Sequence, residues 1–125
     1  MKITITKYGL RKDEILFNSS YGEGRGLWCG AAVTLGEEVE VEFEFIQFLM
    51  RWIDILPSDS SEFSMRIDQD RVVFTGRLDN IEEDGTAFLQ MGEGLIMFEC
   101  LGEPMALGTF VEVRTADVRI YPAAL

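Results

Sequence analysis

The sequence predicts a mainly β fold, built as a small antiparallel barrel or sandwich. Apolar and polar residues alternate with period two in several segments, which is the pattern of half-buried strands. Short apolar runs are separated by turn-forming residues at close spacing. With 47% hydrophobic and 26% charged residues, the composition is that of a chain that buries a core. We expect one domain over residues 1–125, a normal length for a single core.

The first third of the chain contains two clear strand signals and one weaker one. Alternation predicts a strand at residues 3–6, and an apolar run predicts a second at residues 15–17. Residues 18–26 contain several glycines and serines, which predicts a loop. Residues 27–33 are apolar enough for a further buried strand, although a glycine and two alanines weaken the signal.

Residues 38–45 carry the clearest pattern in the sequence. Four apolar residues alternate with four glutamates, and successive side chains on a strand point to opposite faces. The apolar set is Val39, Val41, Phe43 and Phe45, and the acidic set is Glu38, Glu40, Glu42 and Glu44. The segment is therefore predicted to bury its apolar face and to present a row of carboxylates to solvent.

Residues 46–56 are compatible with a helix or a strand. On a helix, Gln47, Arg51 and Asp54 would form one narrow polar stripe, which favours the helix. No capping residue separates the segment from the strand before it, which favours continued strand. In either case the element should end before Pro57, because a proline disfavours helical geometry in the preceding residue.

The second half of the chain reads as a series of short strands. Residues 57–61 form the best linker, either a surface loop or a seam between two lobes. An Asp-Gly pair at residues 84–85 is a hairpin signal. The expected strands cover residues 63–67, 72–81, 86–91, 95–101, 109–115 and 118–121. In strand count and turn placement, residues 72–121 resemble an OB-type barrel, without a family-specific motif.

The charge and the missing histidine exclude several function classes. The chain has 11 basic and 22 acidic residues and no histidine, for a net charge of −11. Catalytic systems that use histidine are excluded. Residues 36–70 alone carry two basic and ten acidic groups, a net charge of −8, which would repel nucleic acid and anionic membranes. We therefore expect neither as a partner, and a basic protein as the natural one.

No metal, cofactor or disulfide is expected. Cys29 and Cys100 have no metal spacing and are predicted to be buried reduced thiols. Residues 80–85 match a calcium loop only in outline, because Met91 stands where the loop needs a bidentate glutamate. A turn explains the same residues. No signal peptide and no long apolar span are present, so a cytoplasmic location is expected.

Two surfaces are candidates for binding. The first is the glutamate row, Glu38, Glu40, Glu42 and Glu44, as a docking surface for a basic protein. The second is a self-association surface in the apolar stretch, with Phe48, Trp52 and Ile55 as its residues, which would give a homodimer. No catalytic residue is assigned.

The predicted function is a non-catalytic acidic interaction module that binds a basic protein partner, for example an immunity-type protein. The alternative is a β-barrel domain that binds a small molecule or a cation in the barrel mouth. A carboxylate-based enzyme is the third candidate, since any chain with 22 acidic residues contains suitable carboxylate pairs.

Overall fold

The structure, a computed structural model, describes residues 1–123 and is all β in this part of the chain. Strands make up 61% of it, and it has no helix that could cross a membrane. The strands are β1 (Lys2–Tyr8), β2 (Glu14–Ser19), β3 (Gly22–Trp28), β4 (Glu38–Phe45), β5 (Leu49–Met50), β6 (Ile55–Pro57), β7 (Ser64–Asp68), β8 (Arg71–Ile81), β9 (Thr86–Met91), β10 (Gly94–Leu101), β11 (Phe110–Thr115) and β12 (Val118–Pro122).

The strand pairings close into a barrel of eight strands. Following neighbours, the circuit runs through β1, β2, β3, β7, β8, β9, β10 and β4, and β4 pairs with β1 again. Two joints of this circuit consist of one residue pair each, Gly22 with Met65 between β3 and β7, and Glu44 with Met97 between β4 and β10. The barrel wall therefore opens on either side of these joints.

The sheet is mixed, which corrects the expectation of a purely antiparallel barrel. Parallel pairs occur between β3 and β7, β3 and β12, β4 and β10, and β5 and β10. Parallel neighbours need long connections, and in each of these pairs other strands lie between the two partners in the chain, as when the last strand, β12, returns to pair with β3. An alternating pattern assigns side chains to faces but says nothing about strand direction.

The interior of the barrel is packed with aromatic side chains. On the inward face of β4, Phe43 stacks on Phe17 with ring centroids 5.6 Å apart, and Phe45 lies 4.7 Å from Phe74. Val41 is buried on the same face. The predicted alternation over residues 38–45 is therefore confirmed, and the strand that carries the glutamates is held by the core.

The predicted loop over residues 18–26 is wrong, because β2 and β3 form an antiparallel hairpin there. A Cβ on Gly24 would overlap the Phe17 ring and lie 2.6 Å from the Met65 sulfur. A Cβ on Gly26 would come within 2.7 Å of a backbone carbonyl oxygen of β12. The glycines of β3 mark places where neighbouring groups approach the backbone closely, not a mobile loop.

The strand predicted over residues 27–33 ends at Trp28. The Trp28 indole N–H donates to the carbonyl oxygen of Ala31, so the chain turns back over the end of the strand. From there it runs without regular structure until β4 begins. The apolar composition of these residues reflects this turn and not a continuous strand.

The helix considered for residues 46–56 is absent, and the segment forms β5, a tight turn and β6. Asp54 closes the turn, because its carboxylate accepts the Met50 N–H at 2.8 Å and its own N–H donates to the Met50 carbonyl oxygen at 2.8 Å. Leu49 and Ile55, on either side of the turn, are both 0% exposed. The helical polar stripe was a coincidence of spacing.

The predicted strands of the second half are confirmed as β7 to β12, with small differences at their ends. Asp84 and Gly85 form the turn before β9. The carboxylate of Asp84 accepts the backbone N–H of Thr86 at 2.9 Å, and this bond lowers the pKa of Asp84. Cys29 and Cys100 are free thiols; Cys100 is buried as predicted, whereas Cys29 is only half-buried.

Candidate functional site

The strand β4 presents its four glutamates on one outward side of the barrel. Their apolar neighbours on the strand face the interior, so the alternation of side chains turns the carboxylates outward. Glu38, Glu40 and Glu42 are exposed and Glu44 is half-buried. We call these four residues the acidic face. Their outward orientation agrees with the sequence prediction.

The two ends of the acidic face differ in their ion pairs. The pairs at its start are Lys2 Nζ to Glu38 at 4.0 Å and the amino group of Met1 to Glu40 at 3.4 Å. Within residues 1–123, no cationic group lies within 4.0 Å of the carboxylates of Glu42 and Glu44. Exposed ion pairs contribute little to stability, and the carboxylates without a cation are concentrated at one end.

The strand β12 runs beside this end of the acidic face. In register, Tyr121 lies opposite Glu42 and Arg119 opposite Glu44. The Arg119 guanidinium is engaged elsewhere, since its Nε donates to the Asp117 carboxylate at 3.1 Å. Burial raises the pKa of Tyr121, and the negative charge of Glu44 raises it further. The ionisation of this phenol is therefore affected by the negative charge of the acidic face.

A groove of about 410 Å³ runs beside the acidic face, between β4 and β10. It exists because the two strands pair only at Glu44 and Met97 and diverge from there. Its walls are residues 41–44 of β4 and 94–97 of β10. The groove thus combines two carboxylates of the acidic face with the apolar side chains of Leu95 and Met97, which are 57% and 48% exposed.

The sequence prediction did not find the apolar wall of this groove. Leu95 and Met97 point outward from β10, while Ile96 and Phe98 on the same strand are buried. The signal was the continuous apolar run over residues 95–98, since a strand with a solvated outer face carries polar residues at alternate positions. Such a run indicates that the strand carries apolar side chains on both of its faces.

A second surface is formed by residues 46–53, which include β5 and the start of the turn after it, and by the end of β10. Residues 46, 48 and 50 continue the outward alternation of β4 with apolar side chains, and Met50 pairs with Leu101 of β10. We call the exposed set the apolar face. Its members are Ile46, Phe48, Met50, Trp52, Ile53 and Leu101. Of the predicted self-association residues, Phe48 and Trp52 lie on it, and Ile55 does not because it is fully buried.

Trp52 holds an unusual backbone conformation at the centre of the turn. Its φ is +71°, in the left-handed region that bulky side chains rarely adopt. The backbone N–H of Trp52 donates to the carbonyl oxygen of Ile55 at 2.8 Å, and its indole N–H donates to that of Pro104 at 3.2 Å. These bonds hold a large aromatic ring in a position where it is 47% exposed.

Comparison with known proteins assigns no family to this surface or to the chain. Against protein-family models, curated proteins and solved structures, the chain gives no significant match. Within residues 1–123, no group of three or more Cys, Asp or Glu side chains is arranged to hold a metal ion. The functional proposal therefore depends on the geometry and charge of the acidic face.

Proposed function

We propose that the protein is a non-catalytic interaction module that binds a basic protein partner through the acidic face. The observation that carries the proposal is the outward row of four carboxylates on a barrel strand, two of which form no ion pair within 4.0 Å in residues 1–123. An immunity-type protein, which neutralises a basic toxin, is one form that this function would take.

The rigidity of β4 supports this proposal. Val41, Phe43 and Phe45 anchor the strand in the core, so the backbone positions from which the glutamates extend are fixed before a partner arrives. A pre-organised strand loses little backbone entropy on binding. A partner with lysines or arginines at strand-like spacing would match it.

The charge distribution also supports it. The net charge of −11 gives the chain a negative field, and the segment with a net charge of −8 includes the whole acidic face. Such a field attracts a basic surface and raises its association rate, and the effect decreases with salt because the charges are screened. A polyanion such as nucleic acid would be repelled by the same field.

Charge reversal of the acidic face tests the proposal. Replacing all four glutamates by lysine changes the net charge from −11 to −3, since each substitution adds two charges. The wild-type chain, immobilised and exposed to a lysate of its native host, should retain a basic protein that sodium chloride releases. The reversed variant should not retain it, because its binding surface would now repel the partner.

The matched control reverses four other exposed acids, with the same change in net charge. These residues lie in the loop before β7 and the turn before β9, and they are Asp59, Glu62, Glu82 and Glu83. The control should retain the partner. If both variants lose it, net charge and not the acidic face is responsible, and if the reversed variant keeps it, the proposal is wrong.

The groove between β4 and β10 favours the alternative function, a small-molecule or cation-binding domain. Its two carboxylates and its apolar wall would suit an organic ammonium ion with an alkyl chain. Hexylammonium should then raise the melting temperature of the wild type but not of the E42Q/E44Q variant. The carboxylate-based enzyme, the OB-type outline and the cytoplasmic location stay predictions without an observation that favours them.

A further inference from the structure

We propose that the apolar face is a surface through which two copies of the chain associate, as a two-fold symmetric dimer. The face consists of the six large apolar side chains of residues 46–53 and the end of β10 defined above. It carries none of the four glutamates and meets the groove at one end only, where Ile46 lines a pocket together with Glu44 and Met97. The inference therefore does not depend on the function proposed for the acidic face.

The size of the apolar face is the first argument. Its side chains are between 40% and 67% exposed. At about 100 Å² for each side chain, the face exposes on the order of 600 Å², which is the upper limit for the largest patch of a typical monomer. A stable interface buries roughly 800 Å² on each partner. The apolar face alone would supply most of that area.

The second argument is that two polar side chains of the same segment, those of Gln47 and Asp54, are turned into the protein. Gln47 accepts the Ala116 N–H at 3.2 Å, and Asp54 accepts the Met50 N–H and lies 3.6 Å from the Arg71 guanidinium. Asp54 is only 8% exposed. The segment therefore contributes no carboxylate to the face, although the chain as a whole is strongly acidic.

The third argument, from charge complementarity, decides between a second copy and a basic partner. Arg51 lies within the face, where its guanidinium donates to the carbonyl oxygens of Gly102 and Glu103 and to the Cys100 sulfur. No carboxylate within residues 1–123 lies within 4.0 Å of it. The exposed side chains of Glu99 and Glu103 lie at the edge of the face.

A second copy satisfies this arrangement and a basic partner does not. In a two-fold interface each patch meets itself, so Arg51 of one copy can face the carboxylates at the edge of the other. A basic partner would bring like charge towards Arg51. The apolar face with its one cation and acidic edge is therefore self-complementary.

Sedimentation velocity on the full chain tests the proposal. From micromolar to sub-millimolar concentration, the mass should rise from 14.2 kDa towards 2 × 14.2 = 28.4 kDa. Two variants, F48D and I53D, should each raise the dissociation constant on the order of a hundredfold, because symmetry places each substitution in the interface twice. The control L35D removes a leucine of similar exposure outside the face with the same change in charge, and it should dimerise like the wild type.

Salt distinguishes this dimer from association through the acidic face. Sodium chloride screens the repulsion between two chains of net charge −11, so a dimer formed by the apolar face should become tighter as salt rises. A dimer that weakens with salt, or that survives both aspartate variants, overturns the proposal. A chain that stays monomeric at every concentration and salt level also overturns it. Far-UV circular dichroism shows which variants are folded, and either variant alone suffices for the test.

Discussion

Replacing Gly24 in β3 by alanine tests how the glycine-rich segment becomes a strand. Gly24 is buried, and a Cβ there would overlap the Phe17 ring and lie 2.6 Å from the Met65 sulfur. Gly94 in β10 is the matched control. It is also in a strand but exposed, and the atom nearest to its added Cβ is the carbonyl oxygen of Met91 at 3.8 Å.

The two alanine substitutions are expected to change the stability of the fold in opposite directions. Overpacking at Gly24 costs about 1–3 kcal/mol, and the reduced freedom of the unfolded chain returns about 0.4–1 kcal/mol. The net loss is about 0.6–2 kcal/mol, and at about 4 °C for each kcal/mol in a chain of this length G24A should lower the melting temperature by about 2–8 °C. G94A meets no close neighbour and should raise it by about 2–4 °C. Differential scanning calorimetry measures both.

A second substitution, at Phe17, tests whether contact with this ring causes the loss of stability in G24A. Leucine at position 17 shortens the side chain that meets the new methyl group, so the G24A/F17L double variant should lose about 1 kcal/mol less stability than the sum of the single variants. If G24A is as stable as G94A, or if the two losses simply add, the close approach of Phe17 to the β3 backbone is not what requires glycine there.

Two further predictions concern titration. Glu44 raises the pKa of Tyr121 in addition to burial, so E44Q should lower that pKa in an ultraviolet titration and E38Q should leave it unchanged; equal effects would contradict the assigned proximity. Burial alone would raise the pKa of Glu14, but hydrogen bonds from Arg11 and from a backbone N–H lower it below 4.5. This carboxylate stabilises the fold above pH 4.5 and the contribution is lost below it as the group takes up a proton. Urea unfolding of E14Q should therefore show a smaller loss of stability between neutral and acid pH than the wild type, and an unchanged loss would refute the assignment.

The sequence predicted the strands that carry alternating or continuous apolar residues, and it missed the glycine-rich strand β3. The glutamate and apolar positions of residues 38–45 were assigned to the correct faces, because alternation is a property of an extended backbone. The β3 strand was missed because its glycine at position 24 leaves room for Phe17 and Met65, which come from other strands and approach the β3 backbone closely. The helix at residues 46–56 was wrong because Asp54 closes a turn instead of extending a polar stripe.

For the candidate site too, some parts were predicted from the sequence and others were not. The carboxylates were identified from local spacing alone. The groove beside them was not, because it forms where β4 and β10, about fifty residues apart in the chain, meet at the single pair Glu44 and Met97 and then diverge. The apolar face was identified in part, through Phe48 and Trp52, while Leu101 joins it through the pairing of β5 with β10.

By itself, the sequence determined that the protein is mainly β, strongly acidic and equipped with a row of outward glutamates, since composition and period-two alternation are local properties. Only the tertiary structure decided the direction of the strands, the closure of the barrel, the position of the groove and the fate of residues 46–56. These features depend on which distant segments pair with one another, and that choice is made by the packing of the whole core.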